Sequence, residues 1–131
     1  MSTAGTGGTI TGTGEELLKK ISDLEIYTVE PENSPVLAGG KPGPHNIPGT
    51  GPGFIPNNLN TDIYKEIFHI SDKDVINMTK KLAKKEGLLL GPSSGAAVWA
   101  AVQVAKKLDK NKKILAIAPD TGERYLSQNI F

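Results

Sequence analysis

Polar and apolar positions along this chain change period several times, and each change marks an element. Between Asp72 and Glu86, Val75, Met78, Leu82 and Ile76, Thr79, Ala83 recur at intervals of three and four. That spacing lines one face of an α-helix. Ser71 is a suitable N-cap with Asp74 three residues on, and Gly87 a suitable stop, so a helix is predicted over Asp72 to Glu86. Ala96 to Leu108 is alanine-rich and apolar around its circumference until Lys106, which predicts a deeply buried helix that takes Trp99 into the core. A shorter helix is predicted from about Glu15 to Ser22, acidic at its start and basic near its end, as the helix dipole favours. Glu25 to Val29 and Glu66 to Ile70 read as strands from their β-branched and aromatic content, the first stopped by Pro31. Ile114 to Ala118 is a continuous apolar run, the pattern of a parallel strand covered on both faces. Gly91 to Gly95 reads as a tight turn. Helices alternating with apolar strands predict an α/β fold with a mainly parallel sheet.

One stretch fits no period. Ten of the fifteen residues from Gly39 to Gly53 are Gly or Pro, which excludes both helix and interior strand. The surrounding loop runs to about Asn60, and loops of such length in small domains are usually functional or disordered. The 131 residues suffice for one core. A formal charge of +1 gives no broad basic face for nucleic acid. Without cysteine there are no disulfides and no thiolate metal sites. His45 and His69 lack metal-ligand spacing and read as structural residues. No apolar run is long enough to span a membrane. The first residues lack the basic start and apolar run of a secretory signal, so the cytoplasm is the expected compartment.

Three segments could carry chemistry. Gly5-Thr6-Gly7-Gly8-Thr9 opens toward the first helix. Successive amide N–H groups at a helix mouth make an anion site, with threonine hydroxyls as further donors. The competing reading is a flexible or tag-like end. No Gly-Lys-Ser/Thr follows, so it is not a nucleotide P-loop, and Ile10 occupies the third glycine position of a dinucleotide fingerprint. Ser93 and Ser94 precede a buried helix, where a serine serves as an N-cap or points its hydroxyl into a pocket. Pro119 to Ser127 follows the apolar run Ile114 to Ala118, at the carboxyl end where α/β proteins place ligands. Its alternative is a capped turn into a final helix, with Arg124 paired to an acid.

In this order and spacing the segments resemble cysteine synthase (O-acetylserine sulfhydrylase) and its relative cystathionine β-synthase, pyridoxal-phosphate enzymes of the tryptophan-synthase-β fold type. Gly5 to Thr9 is similar to the family's phosphate loop. Val36 to Pro56 resembles its Gly-Gly-Lys-Pro-Gly-Pro-His…Gly-Phe-Ile-Pro segment. Ser93 to Ala97 and Gly122 to Ser127 resemble its two late motifs. The likeness implies the large-domain part of a three-layer αβα fold, with residues 1–131 as a truncated C-terminal cofactor domain and residues 39–60 as a cleft loop. It implies that Gly5, Thr6, Gly7, Gly8 and Thr9 grip the phosphate of pyridoxal 5′-phosphate and that Ser93 bonds the pyridine nitrogen. A neutral hydroxyl there makes the ring a weaker electron sink than a carboxylate would, which suits β-elimination over transamination. Gly49, Thr50 and Gly51 would line the substrate cleft. The implied reaction is β-replacement: O-acetylserine loses acetate, sulfide adds, and cysteine forms. A homodimer and docking of the serine acetyltransferase C-terminal tail are implied partners, with no nucleic acid and no membrane.

The family's Schiff-base lysine, in a Ser-x-Lys-Asp-Arg segment, and its substrate-carboxylate loop lie upstream of the phosphate loop. Neither is among these residues, so no catalytic residue is assigned and the chain alone is expected to be inactive. Ser71-Asp72-Lys73-Asp74 mimics the lysine segment, but Val75 stands where Arg belongs and the segment opens a surface helix; Lys41 is given no catalytic role. Met1 falls where the strand before the phosphate loop should end, and an unpaired edge there invites pairing with another chain. Pro48 and Thr50 stand where Gln and Ile are common in cysteine synthases, leaving O-acetylserine, serine and phosphoserine open as substrates. A non-catalytic fold fragment and an interaction module are the readings from other classes.

Overall fold

The computed structural model describes residues 1–131. The element order is β1 (Ser2–Thr3), α1 (Gly8–Lys20), β2 (Tyr27–Pro31), β3 (Glu66–Ile70), α2 (Asp72–Glu86), α3 (Pro92–Ala105) and a short 3₁₀ helix (Gly122–Gln128). The three strands form one parallel sheet in the order β1-β2-β3. Thr28 pairs with Ser2 on one side and with Ile67 on the other. The fold class is therefore the α/β class with a parallel sheet that the sequence pattern predicts.

α2 and β3 have the predicted bounds. The Ser71 hydroxyl accepts from Asp74 N, and Gly87 closes α2 in the left-handed region at φ 68°. β2 is shifted by two residues, and Pro31 is its last paired residue rather than the residue beyond it. A proline at a strand end loses nothing by lacking an N–H.

Several expectations need correction. α1 begins at Gly8, well before Glu15, and ends at Lys20. Glycine and threonine fill that early stretch and are poor helix formers, which hid it. Packing overrides propensity: Ile10 is buried, and a Cβ on Gly14 would lie 2.8 Å from both Ile26 Cδ1 and Ile63 Cδ1. α3 begins at Pro92, so Ser93, Ser94 and Gly95 form its first turn instead of a separate turn. Proline at the first helical position lacks an N–H that no helix needs there. α3 ends at Ala105, where tighter bonds from Lys107 N to Val104 O and Leu108 N to Ala105 O replace the α pattern. It is buried on its early turns and exposed at Val102 and Ala105, with Trp99 only half-buried. The final helix is of the 3₁₀ type.

Ile114 to Ala118 is not covered on both faces. It runs beside Met1 as a parallel neighbour would, with Met1 N donating to Leu115 O (2.9 Å) and Ile117 N to Met1 O (3.0 Å). Yet Leu115 is 64% exposed. An apolar run records a need for cover, and these residues do not supply all of it.

The larger core cluster joins Val29, Phe68 and Ile70 of the sheet to Val75 of α2, Ala96, Ala100 and Val104 of α3, and Ile47 of the loop. A second cluster holds Ala4, Ile10, Ile26 and Leu59 around α1. α2 and α3 meet closely because Gly95 has no side chain: a Cβ there would lie 2.1 Å from Thr79 Oγ1. Residues 32–65 contain no helix or strand, and Glu30 anchors their start. Its carboxylate is 3% exposed and accepts from Leu37 N (2.8 Å) and Ala38 N (3.2 Å), with His69 Nε2 at 3.1 Å. His45 pins the loop further along, through Gly51 O (3.0 Å) and Ile47 N (3.2 Å). Each histidine is thus engaged by a partner near this loop, His45 by backbone and His69 by the Glu30 carboxylate.

Removing the Glu30 carboxylate strands two partly buried amide donors. Glu30→Ala is expected to lower the unfolding free energy by about 2–4 kcal/mol in urea titration, and Glu30→Gln by roughly half as much. An unchanged midpoint for both variants contradicts the anchoring role.

Candidate active site

The Gly-rich opening packs directly on other backbone. Gly7 adopts φ 82°, in the region where glycine alone is unstrained. A Cβ on Gly7 would lie 2.6 Å from Leu59 Cβ, and one on Gly5 would lie 2.3 Å from Gly49 O. Gly51 N also donates to Ala4 O (3.1 Å), which ties the cleft loop to the Gly-rich loop. α1 has no side-chain cap. Its first-turn N–H groups therefore have no intrahelical acceptor and are free for an anion, with the positive end of the helix dipole behind them.

A second helix N-terminus contributes the opposite wall. Gly91 caps α3, and Ser93 lies in its first turn at 6% exposure. Gly91 N donates to Asp120 O (3.2 Å), which brings the turn after Ile114 to Ala118 against α3. Leu90 bridges Thr121, and Gly122 N donates to Leu89 O (2.9 Å). Tyr125 OH donates to Asp120 Oδ2 at 2.5 Å. That bond, with burial second, holds the Tyr125 phenol above its usual value.

These walls enclose a cavity of about 310 Å³. Gly5, Thr6, Gly7, Thr9, Ser93 and Gly49 line it together, although nearly ninety positions separate Gly5 from Ser93 in sequence. Gly8 is exposed and lies outside the lining. Thr50 is buried, its hydroxyl donating to Ile47 O (3.1 Å), and it lines a neighbouring cavity of about 650 Å³ with His45, Ile76, Gln128 and Ile130. Gly51 lines neither, and its backbone is taken up by Ala4 O and His45 Nε2. Ser94, the other serine of the pair, is buried with its hydroxyl unpartnered and does not reach the cavity.

Sequence reasoning gave Asp120 and Tyr125 no individual role and named Arg124 only as the partner of an acid, although the Pro119 to Ser127 motif flagged their segment; all three line the cavity. No lining residue is a lysine. Lys73 is exposed on the first turn of α2.

Residues 1–120 match the family described as pyridoxal-phosphate dependent enzyme. The chain belongs to that family. It is 53% identical over all 131 residues to the probable cysteine synthase of Bacillus subtilis, covering 42% of that protein. It is 50% identical to a Staphylococcus aureus cysteine synthase over 97% of this chain and 41% of that one. Among solved structures, cysteine synthase of Entamoeba histolytica matches 99% of this chain and 39% of its own with a TM-score of 0.96 at 41% identity. The O-acetylserine dependent cystathionine β-synthase of Helicobacter pylori matches 98% of this chain and 42% of its own, with a TM-score of 0.89 at 45% identity. The chain spans about two fifths of the length of these relatives. Its fold is that of the cofactor-dependent enzymes to which it is similar, and the family's cofactor is pyridoxal phosphate.

The Gly5–Gly49 contact tests the cradle. Gly5→Ala must push Gly49 O away by more than half an ångström, since real Cβ contacts essentially never fall below 3.0 Å. Affinity for inorganic phosphate, read by calorimetry, is expected to fall at least about tenfold, the equivalent of one strained or lost hydrogen bond to a charged group.

Proposed function

We propose that this chain carries the phosphate-gripping part of a cysteine synthase active site, which replaces the acetate of O-acetylserine by sulfide to give cysteine. The observation that supports it is the single cavity with free helix N-terminal amides and threonine hydroxyls on one wall and the Ser93 hydroxyl on another. Pyridoxal phosphate fits that donor set. A phosphate dianion suits unsatisfied N–H groups at a helix N-terminus, where a glycine cradle lets it approach the backbone. The Asp120 carboxylate lies on the α3 side and disfavours an anion there, so the phosphate belongs at α1.

When bound, pyridoxal phosphate supplies an electron sink for the carbon that loses its proton. Gly5, Thr6, Gly7 and Thr9 hold the phosphate and so fix the cofactor's position. Gly8, the first residue of α1, lies outside the cavity lining, and its backbone amide alone is offered to the phosphate. Ser93 orients the ring and offers its nitrogen a neutral partner, which favours elimination at the β-carbon. Gly49 closes the side toward the cleft loop, and Thr50 and Gly51 shape that loop from behind. No lysine of this chain reaches the cavity, so the covalent anchor comes from residues outside these 131. Cytoplasmic location, a homodimer and docking of a serine acetyltransferase tail at the same cleft belong to this proposal. No helix is long and apolar enough to cross a membrane.

Reconstitution tests the reading. The chain is mixed with the part of the Bacillus subtilis relative that precedes the matched region. Cysteine is expected from O-acetylserine and sulfide with the mixture and not with either part alone. A folded mixture that shows neither cofactor absorbance nor cysteine contradicts the proposal.

A further inference from the structure

Two of the chain's signals meet at Gly91. It caps α3 two residues before Ser93, and its N–H donates to the backbone oxygen of Asp120. The Asp120 side chain covers the same residue. A Cβ on Gly91 would lie 2.1 Å from Asp120 Oδ1 and 2.8 Å from Tyr125 Cε2. Tyr125 in turn holds the other carboxylate oxygen through its hydroxyl. The Leu90–Thr121 bridge and the Gly122 N to Leu89 O bond fix the two turns as an antiparallel pair, so Asp120 cannot drift from Gly91 without breaking them.

Asp120 Oδ1 is buried and has no hydrogen-bond partner. Such orphaned acceptors are uncommon in folded proteins and call for a reason. Here the oxygen rests against the first turn of α3, whose positive dipole end offsets its charge. Oδ1 therefore does not need a donor of its own. Its shape and its bond to Tyr125 hold it against Gly91, and Asp120, Tyr125 and Ser93 all line the one cavity.

We propose that Asp120, held by Tyr125, is a positioning residue for the ring-nitrogen end of the cofactor site: it fixes Gly91 and through it the direction of the Ser93 hydroxyl. The inference rests on reading the cavity as a pyridoxal-phosphate site. Neither Asp120 nor Tyr125 takes part in gripping the phosphate, which lies at the other helix.

Two phosphate compounds separate the ends of the site on the full 131-residue chain. Pyridoxine 5′-phosphate carries the phosphate and the ring nitrogen but no aldehyde, so it does not react with surface lysines. Benzyl phosphate carries the phosphate and a ring without nitrogen. The ratio of their affinities, by calorimetry, reads the ring-nitrogen end. Ser93→Ala is expected to lower the preference for pyridoxine 5′-phosphate about fivefold, the value of one neutral hydrogen bond. Asp120→Ala and Tyr125→Phe should lower it to a similar extent while leaving benzyl phosphate affinity within about twofold. Asp120→Asn keeps an acceptor for Tyr125 and should retain the preference. Tyr125→Phe removes a single hydroxyl, so it serves if Asp120→Ala does not fold. The inference is overturned if folded Asp120→Ala and Tyr125→Phe keep the preference. It is equally overturned if they weaken both ligands alike, as a general loss of structure would, or if Asp120→Asn behaves as Asp120→Ala. A wild-type chain that binds neither compound overturns instead the reading of the cavity itself, as does a preference that Ser93→Ala leaves unchanged.

Discussion

Gly5 carries no side chain because the carbonyl oxygen of Gly49 stands where one would begin. That backbone-on-backbone contact is the constraint from which the rest of the site follows. It seats the loop before α1 on the cleft loop, so that one cavity has the α1 N-terminus on one wall and Gly49 on another. Gly7 repeats the device against Leu59, whereas Gly91 makes room for the Asp120 side chain. Each glycine replaces a side-chain contact by an approach that only a missing Cβ allows. Amide N–H groups, rather than lysines, are then what the cavity offers to an anion. A helix N-terminus left uncapped gives those amides the directionality that a phosphate needs.

The scaffold exists to bring two helix N-termini together. β1 leads into α1 through the Gly-rich loop, and α3 is set against the sheet by Ala96, Ala100 and Val104. Gly95 lets α2 approach α3 until Thr79 touches it, and the Thr79 hydroxyl returns its hydrogen bond to Val75 O (2.8 Å) within its own helix. The first turn of α3, with Ser93, is thereby fixed by a dry contact on one side and by Gly91 and Asp120 on the other. The long loop between β2 and β3 has no ladder of its own. It is held by polar anchors instead: the buried Glu30 at its start and the half-buried His45 near Gly51. Ile47 then seals it into the main core.

Much of this was legible in the sequence where local signals agreed. α2 declared itself through period, Ser71 and Gly87 together. The candidate site residues stood out as motifs, and the fold shows that Gly5 and Ser93 share a cavity. What was not legible depends on tertiary contact. α1 starts among glycines and threonines because Ile10 and the Gly14 face find partners in Ile26 and Ile63. Ser93 and Ser94 look alike in sequence, and only the helix phase separates the one at the cavity from the one sealed away. Thr50 and Gly51 follow Gly49 directly in the chain, yet the loop's turns send them elsewhere. The exposure of Leu115 could not be foreseen, since an apolar run says that cover is needed and not which residues give it.

As proposed, this chain holds pyridoxal phosphate by phosphate and ring, while the covalent lysine is none of its own. The most direct test is to add pyridoxal phosphate to the chain, reduce with borohydride and map the labelled peptides by mass. The account predicts no single preferred lysine, with Lys73 and Lys41 labelled no more than other exposed lysines. One stoichiometrically labelled lysine, with the absorption band of a cofactor bound through it, would contradict the account and give this chain a complete cofactor site of its own.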